Sequence, residues 1–205
     1  MVSLPEEIFQ ETYGKVKKLI VTKKLVPGQI VTERRLSHIL NINDDTLPLV
    51  LLQLRQENLL VGNFENGLSV RELCDQEIAE MFDCRMAIEN MTVKLFTRNA
   101  SQSKIDDLRN LLVPFEKGPE NRYVFYKIDR YFHEYIAKNC GNRTIYQLFK
   151  SANILPFMDL IGLNRPLKSI MQEHLNLISA IHQRDEAEAV KMISFHLENT
   201  KKSHV

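Results

Sequence analysis

At 205 residues, 44% apolar and 26% charged, the chain has the balance of a globular protein with enough apolar content for a sizeable core, which argues against disorder. A net charge of +1, with nine Lys/Arg against ten Asp/Glu up to residue 75 and eighteen against sixteen beyond it, excludes a strongly basic module built for tight nonspecific nucleic-acid binding. Three widely spaced cysteines, Cys74, Cys84 and Cys140, point to reduced thiols and a cytoplasmic setting rather than a disulfide framework, and neither a signal peptide nor an uncharged run of the ~18 residues a membrane span needs is found.

In chain order, a first helix is expected over about Glu7 to Thr22, with Ile8, Val16, Leu19 and Ile20 facing inward, ending before the Pro27-Gly28 turn. Gln29 to Thr32 reads as a short extended stretch, with Thr32 as N-cap of a second helix, Glu33 to Leu40. A third helix runs from about Leu47 to Glu57, with Leu47, Val50, Leu51, Leu54 and Leu59 inward and Asn58 at its end. Leu59 to Val61 and Leu68 to Val70, around a polar tip at Gly62 to Gly67, read as a β-hairpin. Three helices and a hairpin within some 70 residues form the layout of a winged helix-turn-helix. Beyond Asp75 the strand signal stops. Helical periodicity marks Asp75–Arg98, Ser103–Phe115, Arg122–Cys140, Thr144–Met158, Pro166–Gln183 and Glu186–Lys202, one break falling at Lys117-Gly-Pro119. Short links between six helices favour an antiparallel bundle. The fold class is therefore mainly α: a winged helix-turn-helix over 1–73, then an antiparallel all-α helical bundle over 74–205.

Asp129 and His133 stand at i and i+4 on one helix, about 40° apart around its axis, where a carboxylate and an imidazole can share a divalent ion or simply a hydrogen bond. His174 and His196 lie on later helices within apolar surroundings, and inward residues from separate helices of a bundle can converge on one metal.

Residues 129–145, DRYFHEYIAKNCGNRTI, resemble the D-x-x-F-H…G-N motif of GntR-type bacterial transcription regulators of the FadR-like subfamily, which carry an FCD effector domain. Residues 173–197, EHLNLISAIHQRDEAEAVKMISFHL, and 80–89, EMFDCRMAIE, resemble two further motifs of that domain in order and spacing. Val26-Pro-Gly28, Glu33, Leu36 and the hairpin resemble the GntR winged helix. The resemblance spans nearly the whole chain. It implies a cytoplasmic, homodimeric, DNA-binding regulator, not an enzyme. Asp129, His133, His174 and His196 match the ligands of family members that bind a divalent metal. Such a donor set suits Zn, Ni, Mn or Fe, zinc being the first expectation. The resemblance also implies a small organic acid as effector, with Arg85 and Asn142 as candidate contacts. Arg85 could equally form an intrahelical salt bridge with Glu89, whereas for Asn142 a helix-cap or turn role is the stronger expectation.

Where the family carries two DNA-contacting arginines, this chain has Asp44 and Pro48, with Asp45 adding a further negative charge. A carboxylate facing a phosphate repels it. Proline belongs in a first helical turn, so the third helix is expected to start late, with Thr46 or Leu47 as its cap. Arg34, Arg35, Thr46, Gly67 and the basic run Lys15 to Lys24 remain as DNA-contacting candidates. Three functions follow from these residues. The first is a metal-containing, carboxylate-responsive transcription regulator with a divergent recognition helix. The second is a metal- and ligand-binding protein of the same fold that has lost sequence-specific DNA binding. A metalloenzyme ranks last, since no general base like the Glu of HExxH accompanies the histidines.

Overall fold

The computed structural model describes residues 6–42, 45–63, 67–115 and 121–205. It divides into two compact units, Met1–Leu73 with Pro156–Gly162, and Cys74–Leu155 with Leu163–Val205.

The first unit opens with α1 (Glu6–Val21). Thr12, Val16, Leu19 and Ile20 form its buried face, whereas Ile8, expected inward, is 43% exposed. It lies in the first turn, beyond the end of the core that the later residues cover. After β1 (Ile30–Val31), Thr32 caps α2 (Glu33–Leu40), its hydroxyl accepting from the Arg35 N–H at 3.2 Å. Helix α3 (Leu47–Gln56) has Thr46 at its N-cap and Pro48 in its first turn, where the missing amide leaves no bond unmade. Leu47, Val50, Leu51 and Leu54 recur at helical spacing and are buried against Val16, Ile20 and Leu36. Asn58 takes a left-handed conformation, φ 58°, and turns the chain into β2 (Leu60–Asn63). Strand β2 pairs antiparallel with β3 (Gly67–Val70), which pairs with β1, giving the order β1-β3-β2.

Gly62 is a position where only glycine serves. Its φ is +99°, and an added Cβ would lie 2.3 Å from the Gly67 carbonyl oxygen. Gly62→Ala is therefore expected to destabilise the first unit by about 2–3 kcal/mol, through strain and the opened hairpin. Urea unfolding with an unchanged midpoint would refute this.

Pro156–Gly162 completes the same unit. Leu160 joins its core, the Lys17 ammonium lies 2.5 Å from the fully buried Asp159 carboxylate, and Lys23 donates to the Leu160 carbonyl. Burial lowers the Lys23 pKa.

The second unit is helical: α4 (Asp75–Asn99), α5 (Gln102–Asn110), a 3-10 turn (Val113–Phe115), α6 (Arg122–Asn139), α7 (Arg143–Ser151), α8 (Ile154–Ile161, shared with the first unit), α9 (Leu167–His182) and α10 (Glu186–Lys201). Arg98 near the end of α4 pairs with Glu186 at the start of α10, while Lys201 at the end of α10 pairs with Asp83 near the start of α4. The two helices are thus antiparallel. The single helix expected over Thr144–Met158 is two helices, α7 and α8. Asn153 takes a left-handed conformation, φ 53°, between them, and Pro156 falls in the first turn of α8, the one place a helix accepts it. The Lys117-Gly-Pro119 break lies outside the described residues. No helix among the described residues is long and apolar enough to cross a membrane.

Candidate functional site

Asp129 and His133 project from one face of α6, His174 from α9 and His196 from α10. Each is at most 4% exposed, and one potential ligand atom from each lies within 4.8 Å of all the others. The Asp129 Oδ1 and His174 Nε2 atoms are 3.4 Å apart. Asp129 Oδ1, His133 Nε2 and both ring nitrogens of His174 are buried without a hydrogen-bond partner. Three buried residues that each leave a polar atom orphaned, gathered around one point, are an arrangement that folding alone disfavours.

The ring orientations have visible causes. His133 Nδ1 lies 2.5 Å from Glu89 Oε2, and the other oxygen of that carboxylate is 2.6 Å from Arg85 Nε. His196 Nδ1 lies 2.8 Å from Glu173 Oε2, and Glu173 is gripped on both oxygens by Arg165 and once more by Asn199 at 2.9 Å. Each carboxylate accepts the Nδ1 proton of its histidine and so leaves the Nε2 lone pair for the centre. His174 has no such partner. Its ring instead stacks on Phe132, 4.2 Å between centroids and 15° from parallel.

Electrostatics keep these groups in the required charge states. Burial, reinforced by the neighbouring His196, His133, Arg165 and Arg85, pushes the His174 pKa well below its ordinary value. Burial likewise lowers that of His196, outweighing the hydrogen bond it donates to Glu173. Both are neutral imidazoles with a lone pair available. For Glu89, burial acts to raise the pKa, but the charges of Arg85 and His133 and their hydrogen bonds outweigh it and hold it at about 2. The Glu173 carboxyl is also at about 2, where hydrogen bonds from Arg165, His196 and Asn199 overcome desolvation.

The donor set fits a divalent cation. Ligands on one ion lie at most about 4.2 Å apart, twice a typical ~2.1 Å bond, so atoms within 4.8 Å need only a small contraction. Arg85 is 2% exposed and forms the ion pair with Glu89, yet its Nη2 has no partner. Asn142 stands apart as the exposed N-cap of α7, its side-chain oxygen accepting from the Ile145 N–H at 3.1 Å. The sequence reading missed Glu173 and Arg165, and saw Glu89 only as a partner for Arg85. Glu173 immediately precedes His174, and Glu89 stands one turn beyond Arg85, but neither spacing reveals a contact made with another helix.

On the first unit, Arg34 and Arg35 are exposed on α2 and Arg55 is exposed on α3. Thr46 requires a correction. It is fully buried as the cap residue of α3 and presents no surface to DNA, because the late helix start turns it into the core. Gly67 is half-buried with φ +96°, at the start of β3. Asp44 and the wing tip Phe64 to Asn66 lie outside the described residues, and Asp45 is exposed. In the basic run, Lys15 pairs with Glu11, Lys17 with Asp159, and Lys23 with a backbone carbonyl, so much of its charge serves the fold.

The FCD domain family matches residues 80–199, more than half of the chain. The HTH-type transcriptional regulator YdhC of Bacillus subtilis is 21% identical, over 94% of this chain and 88% of its own. Among solved structures, E. coli McbR/YncC aligns with a TM-score of 0.70 at 18% identity, covering 97% of this chain and 95% of that one. The metal-free FCD domain of TM0439 aligns with a TM-score of 0.56 at 22% identity, over 65% of this chain and 94% of that one. An N-terminal winged helix-turn-helix, a helical unit with this cluster at its heart and a domain match across that unit lead to one conclusion: the chain belongs to the FCD-domain family and is a GntR-type transcription regulator of the FadR-like kind.

Proposed function

We propose that the chain is a DNA-binding regulator whose helical unit, 74–205, holds one divalent metal on Asp129, His133, His174 and His196 and responds to a small carboxylate. The observation that carries this reading is the convergence of four buried ligand atoms, three of the residues having atoms with no hydrogen-bond partner. Such a metal would act as a fixed positive charge and Lewis acid at which an acid's oxygens bind. The charge balance supports an anionic effector. Glu89 and Glu173 are each matched by a guanidinium, so Asp129 carries the uncompensated charge, and a divalent cation would leave a single positive charge for a monocarboxylate to neutralise. The partnerless Arg85 Nη2 is the candidate donor to that carboxylate. Zinc heads the candidate metals, ahead of Ni, Mn and Fe.

The winged unit, 1–73, would meet operator DNA through Arg34 and Arg35, with Gly67 shaping the wing, and the protein would act as a homodimer on two half-sites. A second reading keeps the metal and acid but drops sequence-specific DNA recognition. It is favoured by the exposed Asp45 and by an α3 that carries one cation, Arg55.

Fluorescence anisotropy on tiled fragments of the protein's own upstream DNA, across a salt series, separates the two. The expected result is binding to one fragment that survives random competitor DNA. A panel of small acids should shift that affinity about 5-fold or more, and only with the metal-loaded protein. Equal, weak binding to every fragment, lost near physiological salt, would leave the second reading standing.

A further inference from the structure

We propose that the outward face of α3 recognises thymine methyl groups in the major groove of an A·T-rich site, an inference that rests on the DNA-binding reading above. Leu47, Val50, Leu51 and Leu54 are at most 2% exposed and fix the roll of this helix. At 100° per residue, Leu49, Leu52 and Gln56 then fall about 140–200° from Leu47, on the face turned away from the core. Leu49 is 48% exposed, Leu52 39%, and Gln56 is exposed as well. A single exposed leucine on a surface is ordinary. Two of them one turn apart, at the centre of the solvent face of the second helix of a helix-turn-helix, are not scattered.

The chemistry of the groove selects the occupant. Guanine is read by arginine or lysine, and the one cation of α3, Arg55, falls about 80° from Leu47, at the edge of this face, where it is placed for a phosphate. Thymine is the base that presents an apolar group in the major groove, and glutamine pairs with adenine N6 and N7. Leu49 and Leu52 are about 4.5 Å apart along the axis, close to the ~3.4 Å step between stacked pairs. Two leucines followed by Gln56 therefore match thymine methyls and an adenine. The exposed Arg34 and Arg35 on α2 supply the charge that a polyanion requires and an apolar protein surface does not.

The test is selection from a random-sequence duplex library, followed by resynthesis of the strongest site with uracil in place of its invariant thymines. Each lost methyl is expected to weaken binding about fourfold, so two weaken it about 15-fold, while the slope of affinity against salt stays unchanged because the phosphate contacts remain. The double variant Leu49→Ala/Leu52→Ala, altered only at exposed positions, should bind thymine and uracil forms within about twofold of each other. A recovered site that the wild type binds equally in both forms would overturn the inference and give the apolar face to a protein surface. A selection that recovers no motif would overturn the DNA reading itself, and this inference with it.

Discussion

Zinc, nickel or manganese added to metal-stripped protein, at about a hundred times its dissociation constant, is expected to raise the melting temperature by about 5–10 °C, and His174→Ala to abolish the rise. Binding at that excess stabilises by about 2.7 kcal/mol, and a chain of this size gains roughly 2–4 °C per kcal/mol. His174 is fully buried and stacked on Phe132, so its truncation also opens a cavity and lowers the starting stability. Asp129→Asn, which keeps the side-chain volume but removes the ligand's charge, separates these effects: it should keep the metal-free melting temperature near that of the wild type and still lose most of the metal response. A full metal shift in both variants would place the ion elsewhere.

Glu89→Ala is expected to remove about 3–5 kcal/mol of stability, because it leaves the single positive charge of the Arg85 guanidinium buried and unanswered. The same change frees His133 to rotate, and losing an orienting carboxylate should weaken metal affinity about 10–100-fold. The double variant Arg85→Met/Glu89→Leu replaces both charges with apolar groups of similar volume and should recover much of the lost stability without recovering the metal affinity. Denaturant midpoints for the single and double variants, beside metal titrations, measure both effects. A Glu89→Ala protein as stable as the wild type would mean that water reaches Arg85 and that the pair is not a buried one.

Much of this architecture was legible in the residues because helices announce themselves by period. The α2 cap at Thr32, the buried face of α3 and the existence of the hairpin depend on neighbours within a few positions, and local reading reached them. The division of Thr144–Met158 was missed because its punctuation is an asparagine in a left-handed conformation rather than glycine. Pro156 was the available clue, since proline belongs at a helix start. The burial of Thr46 was invisible for a different reason: a polar residue at a helix mouth looks the same whether it faces solvent or core. At the Asp/His cluster, Asp129 and His133 carried a spacing signal, but His174 and His196 were tied to them by resemblance rather than by pattern. Glu173 and Arg165, which hold His196, are contacts between segments that no local periodicity encodes.

The first unit is not complete where its stretch of sequence stops. Leu160, Asp159 and the Leu160 carbonyl, which close its core and engage Lys17 and Lys23, belong to a segment about 90 residues after Leu73. A ribosome adding roughly 5–20 residues per second needs about 5–20 s to cover that distance. During that interval the newborn winged helix waits with an open apolar seam and two lysines lacking these partners. Its final docking is therefore tied to the emergence of much of the helical unit, so that a nascent chain gains its finished winged helix only after α4 to α8 have been made.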